Sequence, residues 1–424
     1  MRWIPVVLCG LLAVACAAED APAEDAAAID ADEAALASDP SADLLGMNID
    51  QWKVRFNERV AKWKATEPRT ESGVEAGIDY AFIPATGSAK SLVIMNSGIH
   101  GVEAPAGVVF EDLLLNECAP SIDRRSTAFL VIHVMNPYGA RNGRRFNENN
   151  VDLNRNSFDA NVPFPGATIE NPEYEALRPV VENRMSVIDF VKAGVVHGEA
   201  EMTKALSGQY EYPKGIYYGG SEVQLEVIAV QHIIDRYAAP FANIAFLDVH
   251  TGLSKAWLGL ITTNSGVNQV MNNPIPADAS EELKAAFQRE NELLGRMFPT
   301  PECDGVCIVQ QTGDGASQDS TNFVTTGDIT QWVQTKYADK RLHGTLLSVT
   351  AEVSTDAPGA VLETLADENY CYWNRTSSSC GERQYAKDVS ALRESFNPSR
   401  ASWRRHVMTA GRQMCKAITR FAAE

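Results

Sequence analysis

The sequence predicts an α/β fold: one large domain built on a mostly parallel or mixed central sheet covered by helices on both faces. Near-continuous apolar runs such as Ser91–Ser97 and Ile244–Val249 alternate with longer segments whose apolar residues recur at helical spacing. A strand that is apolar at nearly every position is buried on both faces, which is how strands sandwiched between helices read. Length agrees with this. A chain of 424 residues could hold two or three average domains, but large α/β enzymes commonly use that length for one.

The chain opens with Met1 to Cys16, which has one positive charge, a short apolar core and a small-residue exit. That pattern predicts a signal peptide over residues 1–15, too short to span a membrane. Ala13-Val14-Ala15 before Cys16 fits ordinary signal cleavage. Leu12-Ala13-Val14-Ala15-Cys16 also resembles a bacterial lipobox, with Ala13 where a Leu is usual. Both readings cut the same bond. The expected product is exported, held at the outer membrane, periplasm or cell surface by a lipid on Cys16, or alternatively secreted. Residues 16–45 would then be the lipidated cysteine and an acidic tether. Between residues 17 and 43 lie nine acids and no bases among Ala, Pro and Ser, too little apolar surface to offset the entropy of ordering.

A single catalytic domain is expected over 46–424. Its first helix spans Gln51–Lys64, with Trp52, Val54, Phe56, Val60 and Trp63 as apolar positions. Ser91–Ser97 reads as a buried strand, followed by a helix over Ala104–Asn116 with Val108, Val109, Leu113 and Leu114 on one stripe. Then come a strand at Ala128–Met135, a helix at Val223–Tyr237 and strands at Ile244–Val249 and Ala256–Thr262. A helix at Glu281–Phe298, a strand at Thr345–Val353 and a helix at Arg400–Phe421 complete the pattern. In sheets of this kind the ligand site lies beyond the carboxyl ends of the strands.

The formal charge is −18, and about half of it sits in the tether, so acidity speaks of solubility rather than substrate. No basic stripe exists, which argues against a nucleic-acid partner. Any contact with a membrane is expected only through a lipid on Cys16. With Cys9 removed and Cys16 acylated, six cysteines remain, and an even set in an exported chain suggests disulfides. The expected pairs are Cys303 with Cys307, Cys371 with Cys380, and Cys118 with Cys415. A four-cysteine zinc site is the alternative, which the 371–380 gap disfavours.

His100-Gly101-Val102-Glu103 follows the apolar strand directly, so an imidazole and a carboxylate three residues apart sit just past its carboxyl end. Zinc takes such ligands, and a catalytic zinc needs three from the protein with a fourth position open. Two further runs strengthen the motif. One extends from Asn136-Pro137-Tyr138-Gly139 to Asp152-Leu153-Asn154-Arg155-Asn156, and the other ends the strand Asn243–His250 on a third ligand candidate, His250. Asp248, two residues earlier on the same strand face, can reach that imidazole's second nitrogen. Glu352 is a carboxylate inside the apolar run Ser348–Ser354, costly to bury unless paired or used.

These residues, in this order, resemble the zinc carboxypeptidase superfamily, and within it an uncharacterised bacterial branch that also carries the Gly-rich run Gly208–Gly220. The resemblance covers roughly residues 75–360. It implies one zinc ion held by His100, Glu103 and His250, with Glu352 as the general base and Arg145 as the group that stabilises the developing oxyanion. Asn154 and Arg155 match the pair that grips a substrate's terminal carboxylate, a role suited to a guanidinium's planar fork of donors. Arg144 or Arg141 could replace Arg145. The implied activity is hydrolysis of a peptide or amide bond in a peptide or N-acyl amino acid substrate with a free carboxylate. Competing readings are a deacylase of N-acyl amino acids using the same site, and a non-catalytic binding protein. The family's substrate-covering tyrosine has no clear match: Tyr337 is nearest in position, with Tyr217 and Tyr218 as alternatives. His197 and Glu199, two residues apart, read as polar contacts rather than a second metal site, and His133 and His232 as core or surface histidines.

Overall fold

The computed structural model describes residues 39–184, 186, 188–189, 192–193, 196, 201, 204–252, 268–272, 280–298, 306–310, 325–355 and 358–424. The signal segment, Cys16, His197, Glu199, Cys303 and the strand expected at Ala256–Thr262 lie outside these residues.

Eight strands form one mixed sheet: β1 Glu71–Glu75, β2 Ile78–Ile83, β3 Ser91–Ser97, β4 Thr127–His133, β5 Asn243–Thr251, β6 Asn268–Asn272, β7 Val306–Gln310 and β8 Thr345–Val353, in the order β1-β2-β4-β3-β5-β8-β6-β7. The middle, β4-β3-β5-β8, is parallel throughout and consists of the four expected apolar strands. Antiparallel pairs flank it, β2 on β4 and β6 on β8. The β1–β2 hairpin is not anticipated by the sequence reading, because Glu71–Glu75 is polar and mostly exposed. Its signal is the turn: Ala76 and Gly77 both have positive φ, 48° and 80°, the two-residue geometry whose twist suits a hairpin.

Alternation along the strands supplies two cores. Val93, Met95, Leu247 and Val349 face one side, and Leu92, Ile94, Phe246 and Leu346 the other. Helices α1 Ile49–Thr66 and α2 Ala104–Leu113 cover the first side through Trp52, Phe56, Val108 and Val109. The second side is covered by α3 Leu225–Ala238 through Val230, Ile233 and Ile234. The helix α4 Glu281–Met297 returns to the first side with Leu293 and Leu294, and α5 Ile329–Lys336 to the second with Trp332 and Val333. A hairpin of α6 Pro358–Trp373 and α7 Glu382–Phe396 packs Leu365, Leu392 and Phe396 against Val102, Phe146 and Tyr174, a third core beside the His100 loop. The last helix, α8 Ala401–Ala422, lies on the first side through Val407 and Met414. Helices on both faces of a mixed sheet are the architecture expected from the apolar strands.

Two of the expected disulfides are present, Cys118–Cys415 and Cys371–Cys380. The first ties the end of the α2 segment to α8, and the second closes the turn between α6 and α7. Residues 42–45, at the end of the stretch assigned to the tether, pack on the domain instead. Ala42–Gly46 forms a 3-10 turn that buries Leu44 and Leu45, and the Ser41 hydroxyl donates to Asp112 Oδ2 at 2.7 Å. Two leucines in an otherwise small and acidic run give this turn the apolar surface that the preceding residues lack.

Candidate metal centre

At the carboxyl end of β3 the chain turns tightly into His100-Gly101-Val102-Glu103. A side chain at Gly101 would overlap the backbone of Gly139 and Ala140, so the glycine lets this loop lie directly on the Asn136–Gly139 turn. That contact continues as backbone pairing: the amides of Gly101 and Val102 donate to the carbonyls of Arg145 and Arg144. The Asn136 side chain locks the turn, accepting from the Gly139 amide at 2.8 Å and donating to the Arg145 carbonyl at 3.1 Å. The sequence motifs are thus adjacent in space because each fixes the other's backbone.

The three expected ligands converge. His100 Nδ1 lies 2.9 Å from Glu103 Oε1, His250 Nδ1 lies 3.4 Å from Glu103 Oε2, and the two Nδ1 atoms are 3.2 Å apart. All three residues are buried, with one donor atom from each within 4.8 Å of the others; among the described residues this is the one such group. Each imidazole's other nitrogen is taken by a carboxylate. His100 Nε2 is 3.0 Å from Asp152 Oδ1, and His250 Nε2 is 2.7 Å from Asp248 Oδ2. Carboxylates there fix the ring orientation and leave both Nδ1 lone pairs aimed at a common point. Two imidazoles and one carboxylate, with no fourth such residue in the group among the described residues, could hold a metal ion and leave a coordination position open.

Charge supports the same assignment. Glu103, Asp152, Asp248 and Glu352 gather here about the two imidazoles, and Arg145 donates to Glu103 Oε1 and to Asp152 Oδ2, each at 3.0 Å. Burial pushes the Glu103 carboxyl up, but His100, His250 and Arg145 outweigh it and hold the group below the usual carboxylate range. Burial likewise opposes ionisation of Asp152, and Arg145 and His100 overcome it. Burial alone would lower the pKa of His250, yet Asp248 beside it raises it well above the ordinary value. Neighbours that favour positive charge on this ring through its Nε2 would also favour a dication at its Nδ1.

Asp248 is itself held. The Asn96 amide, on the adjacent β3, donates to Asp248 Oδ1 at 2.8 Å, in register across the strands. Asp248→Asn should therefore weaken zinc binding about 10- to 100-fold while leaving the fold intact, as loss of an outer carboxylate does elsewhere. Competition with a chromophoric chelator measures this, and unchanged affinity would show that Asp248 only packs against the ring.

Glu352 pairs with His250 in the β5–β8 register, on the same face of the sheet. It is 7% exposed, and its Oε2 has no hydrogen-bond partner. Burial pushes its carboxyl up to about 7, with His250 pulling the other way. A buried, unpartnered carboxylate that titrates near neutrality has the properties a general base needs.

The three neighbouring arginines have separate fates. Arg141 is exposed and pairs with Asp50 at 2.8 Å. Arg144 is fully buried in the opposite direction, bonded to Glu368 at 2.8 Å and stacked on Tyr372 at 3.4 Å. Only Arg145 joins His100, Glu103 and His250, and its Nη2 makes no hydrogen bond to a described residue.

Asn154 commits its side chain to the start of α5, donating to Asp328 Oδ2 and accepting from the Ile329 amide, each at 3.1 Å. Arg155 is 2% exposed. It donates to the carbonyls of Asn154 and Leu206, its Nε has no partner, and it forms no ion pair with a described carboxylate. Of the tyrosine candidates, Tyr337 is held by Asp235 and packed against Trp332, and Tyr218 belongs to the second core. The Tyr217 ring lies against both Arg145 and Arg155. His133 pairs with Glu111 and stacks on Phe56, and His232 is on the surface with Glu75. Three contributions went unassigned in the sequence: Asp152, Asn96 and the Thr251 amide, which donates to Glu103 Oε2 at 2.9 Å. Asp152 stands at the head of the Asp-Leu-Asn-Arg run, two residues before Asn154.

Several solved structures are similar to the chain. Bovine thrombin-activatable fibrinolysis inhibitor, in complex with tick carboxypeptidase inhibitor, is 12% identical over 87% of this chain and 95% of that one, with a TM-score of 0.47. Carboxypeptidase A from Helicoverpa armigera is 11% identical over 83% and 74%, with a TM-score of 0.43. The murein-tripeptide amidase of Escherichia coli O157 is 19% identical over 76% and 91%, with a TM-score of 0.34. No curated protein sequence matches the chain. The family described as "Protein of unknown function (DUF2817)" matches residues 55–410, a span that contains the whole sheet and every residue of the metal centre, and the chain belongs to that family.

Proposed function

We propose that the protein is a zinc-dependent, metallocarboxypeptidase-like hydrolase that cleaves a peptide or amide bond near a free carboxylate. The observation that carries this reading is the convergence of His100, Glu103 and His250 next to Glu352, a carboxylate that has an unpartnered oxygen and titrates near neutrality. His100, Glu103 and His250 would hold the ion, which when bound polarises a carbonyl and makes water more acidic.

The chain's own residues supply the rest. Glu352 takes a proton from the attacking water and returns it to the leaving nitrogen, so it ends the cycle as it began. Arg145, held by Glu103 and Asp152, offers Nη2 to the carbonyl oxygen as negative charge develops there. Asp152 and Asp248 keep the two imidazoles oriented throughout. Arg155, cationic and bonded to no carboxylate among the described residues, suits the substrate's carboxylate. The same site would accept an N-acyl amino acid, because both substrate classes present a carboxylate beside the scissile amide.

The test is hydrolysis by the purified, zinc-loaded protein of a panel of peptides and N-acyl amino acids, each offered as free acid and as amide. Arg155→Ala should raise KM for the free acids about 10- to 100-fold, the worth of a charge-assisted hydrogen bond, and change it little for the amides. Equal losses on acids and amides would mean that Arg155 supports the fold and that carboxylate recognition lies elsewhere.

A further inference from the structure

Tyr217 has a φ of 56°, a left-handed conformation that a bulky side chain rarely adopts. Such a conformation is costly and persists only where the surroundings over-determine it, often beside a functional site. Here they do. The Tyr217 carbonyl accepts from the Gln209 amide at 3.0 Å, and Gln209 Oε1 accepts from the amides of Glu211 and Tyr212 at 3.1 and 2.8 Å. Asn150 Nδ2 donates to the carbonyls of Pro213 and Gly215 at 3.1 and 3.0 Å, and Asn369 Nδ2 donates to that of Lys214 at 2.7 Å. The Gly208–Gly220 run is thus a rigid loop pinned from both sides, and it presents one ring to the site.

That ring lies 5.3 Å from the guanidinium carbon of Arg145 and 5.5 Å from that of Arg155, measured to its centroid. Among the described residues it is the one aromatic shared by the two arginines. Two guanidiniums converging on one point repel each other, and the negative face of an aromatic ring offsets that repulsion while excluding water from both. The Tyr217 hydroxyl makes no hydrogen bond to a described residue, so the ring face accounts for its placement.

We propose that Tyr217 is a positioning residue that joins Arg145 and Arg155 into one desolvated recognition surface for substrates carrying a free carboxylate beside the scissile amide. This rests on the function proposed above. It adds that selectivity for the acid over the amide is set by an aromatic residue that approaches the substrate through the two arginines.

The experiment compares Tyr217→Phe and Tyr217→Leu with the wild type in zinc-loaded form. Calorimetric binding of N-benzoylglycine and of its amide is measured, with metal content and melting temperature as controls. The wild type should prefer the acid. Tyr217→Phe should keep that preference, and Tyr217→Leu should lose about tenfold or more in affinity for the acid with little change for the amide. If the leucine variant loses zinc or melts early, Tyr217→Asn, which tolerates the same backbone conformation, takes its place with the same expected loss. A wild type without preference for the acid overturns the carboxylate-recognition reading itself. A wild-type preference retained in full by the leucine or asparagine variant overturns the role given to Tyr217, as does a phenylalanine variant that behaves like leucine.

Discussion

Glu352→Gln should bind zinc and substrate as the wild type does and turn substrate over about 10²- to 10⁴-fold more slowly. The amide keeps the shape of the carboxylate but cannot accept the proton that the water must lose. Because peptide and N-acyl amino acid hydrolysis share this step, the variant separates both from a binding protein, whose ligand affinity would be the whole of its activity. Turnover within a few-fold of wild type on every substrate would remove Glu352 from the mechanism. The same substitution makes a second, opposite prediction for the metal-free protein. The folded-state pKa of about 7 lies above the ordinary 4.5, so the folded chain retains a proton that the unfolded chain has released. Wild-type stability should therefore fall relative to the glutamine variant as pH rises from about 4.5 to 7, and the full gap should persist above that. Thermal melts at pH 5 and pH 8 would show the variant gaining most at the higher value. Slower turnover with greater stability is the signature of a carboxylate kept for chemistry at the expense of the fold.

His100→Ala and His250→Ala should each reduce bound zinc to background after dialysis. A site with three protein ligands loses a third of its donors with either change, and the remaining two hold the ion too weakly to survive exchange. Each variant also strands a buried carboxylate, Asp152 or Asp248, that had been bonded to the missing ring. His133→Ala is the matched control, since His133 is equally buried and bonded to Glu111 but is not one of the three converging residues. Elemental analysis showing wild-type zinc in both ligand variants would sink the site; loss in the His133 variant as well would point to unfolding instead.

The parallel centre of the sheet was legible because burial on both faces leaves no polar residue in the strand middles Leu92–Met95, Ala128–Ile132 and Ile244–Leu247. The His100, Glu103 and His250 group was legible for a related reason. A His, a Glu and a second His that interrupt or directly follow such runs have few structural uses. The β1–β2 hairpin was not, because an edge strand such as Glu71–Glu75 draws its order from its neighbour rather than from its own composition. The α6–α7 hairpin was missed as well, since its apolar positions answer to Phe146 and Tyr174, more than a hundred residues away in the chain. The roles of Arg144 and Arg145 could not be divided from sequence. Which of two adjacent guanidiniums faces the ligands is decided by Glu368 and Tyr372, which only the fold brings beside Arg144.

The Cys118–Cys415 bridge joins residues 297 positions apart in the chain. His100 and Glu103 precede the first of these cysteines, and His250 and Glu352 lie between the two. A backbone cut between Cys118 and His250 divides the polypeptide into two lengths, one bearing His100 and Glu103 and the other His250 with Glu352. The two lengths remain one covalent molecule, because the bridge reconnects them. In surroundings that keep cystine oxidised, and where stray proteases act, the site can be nicked without its halves drifting apart.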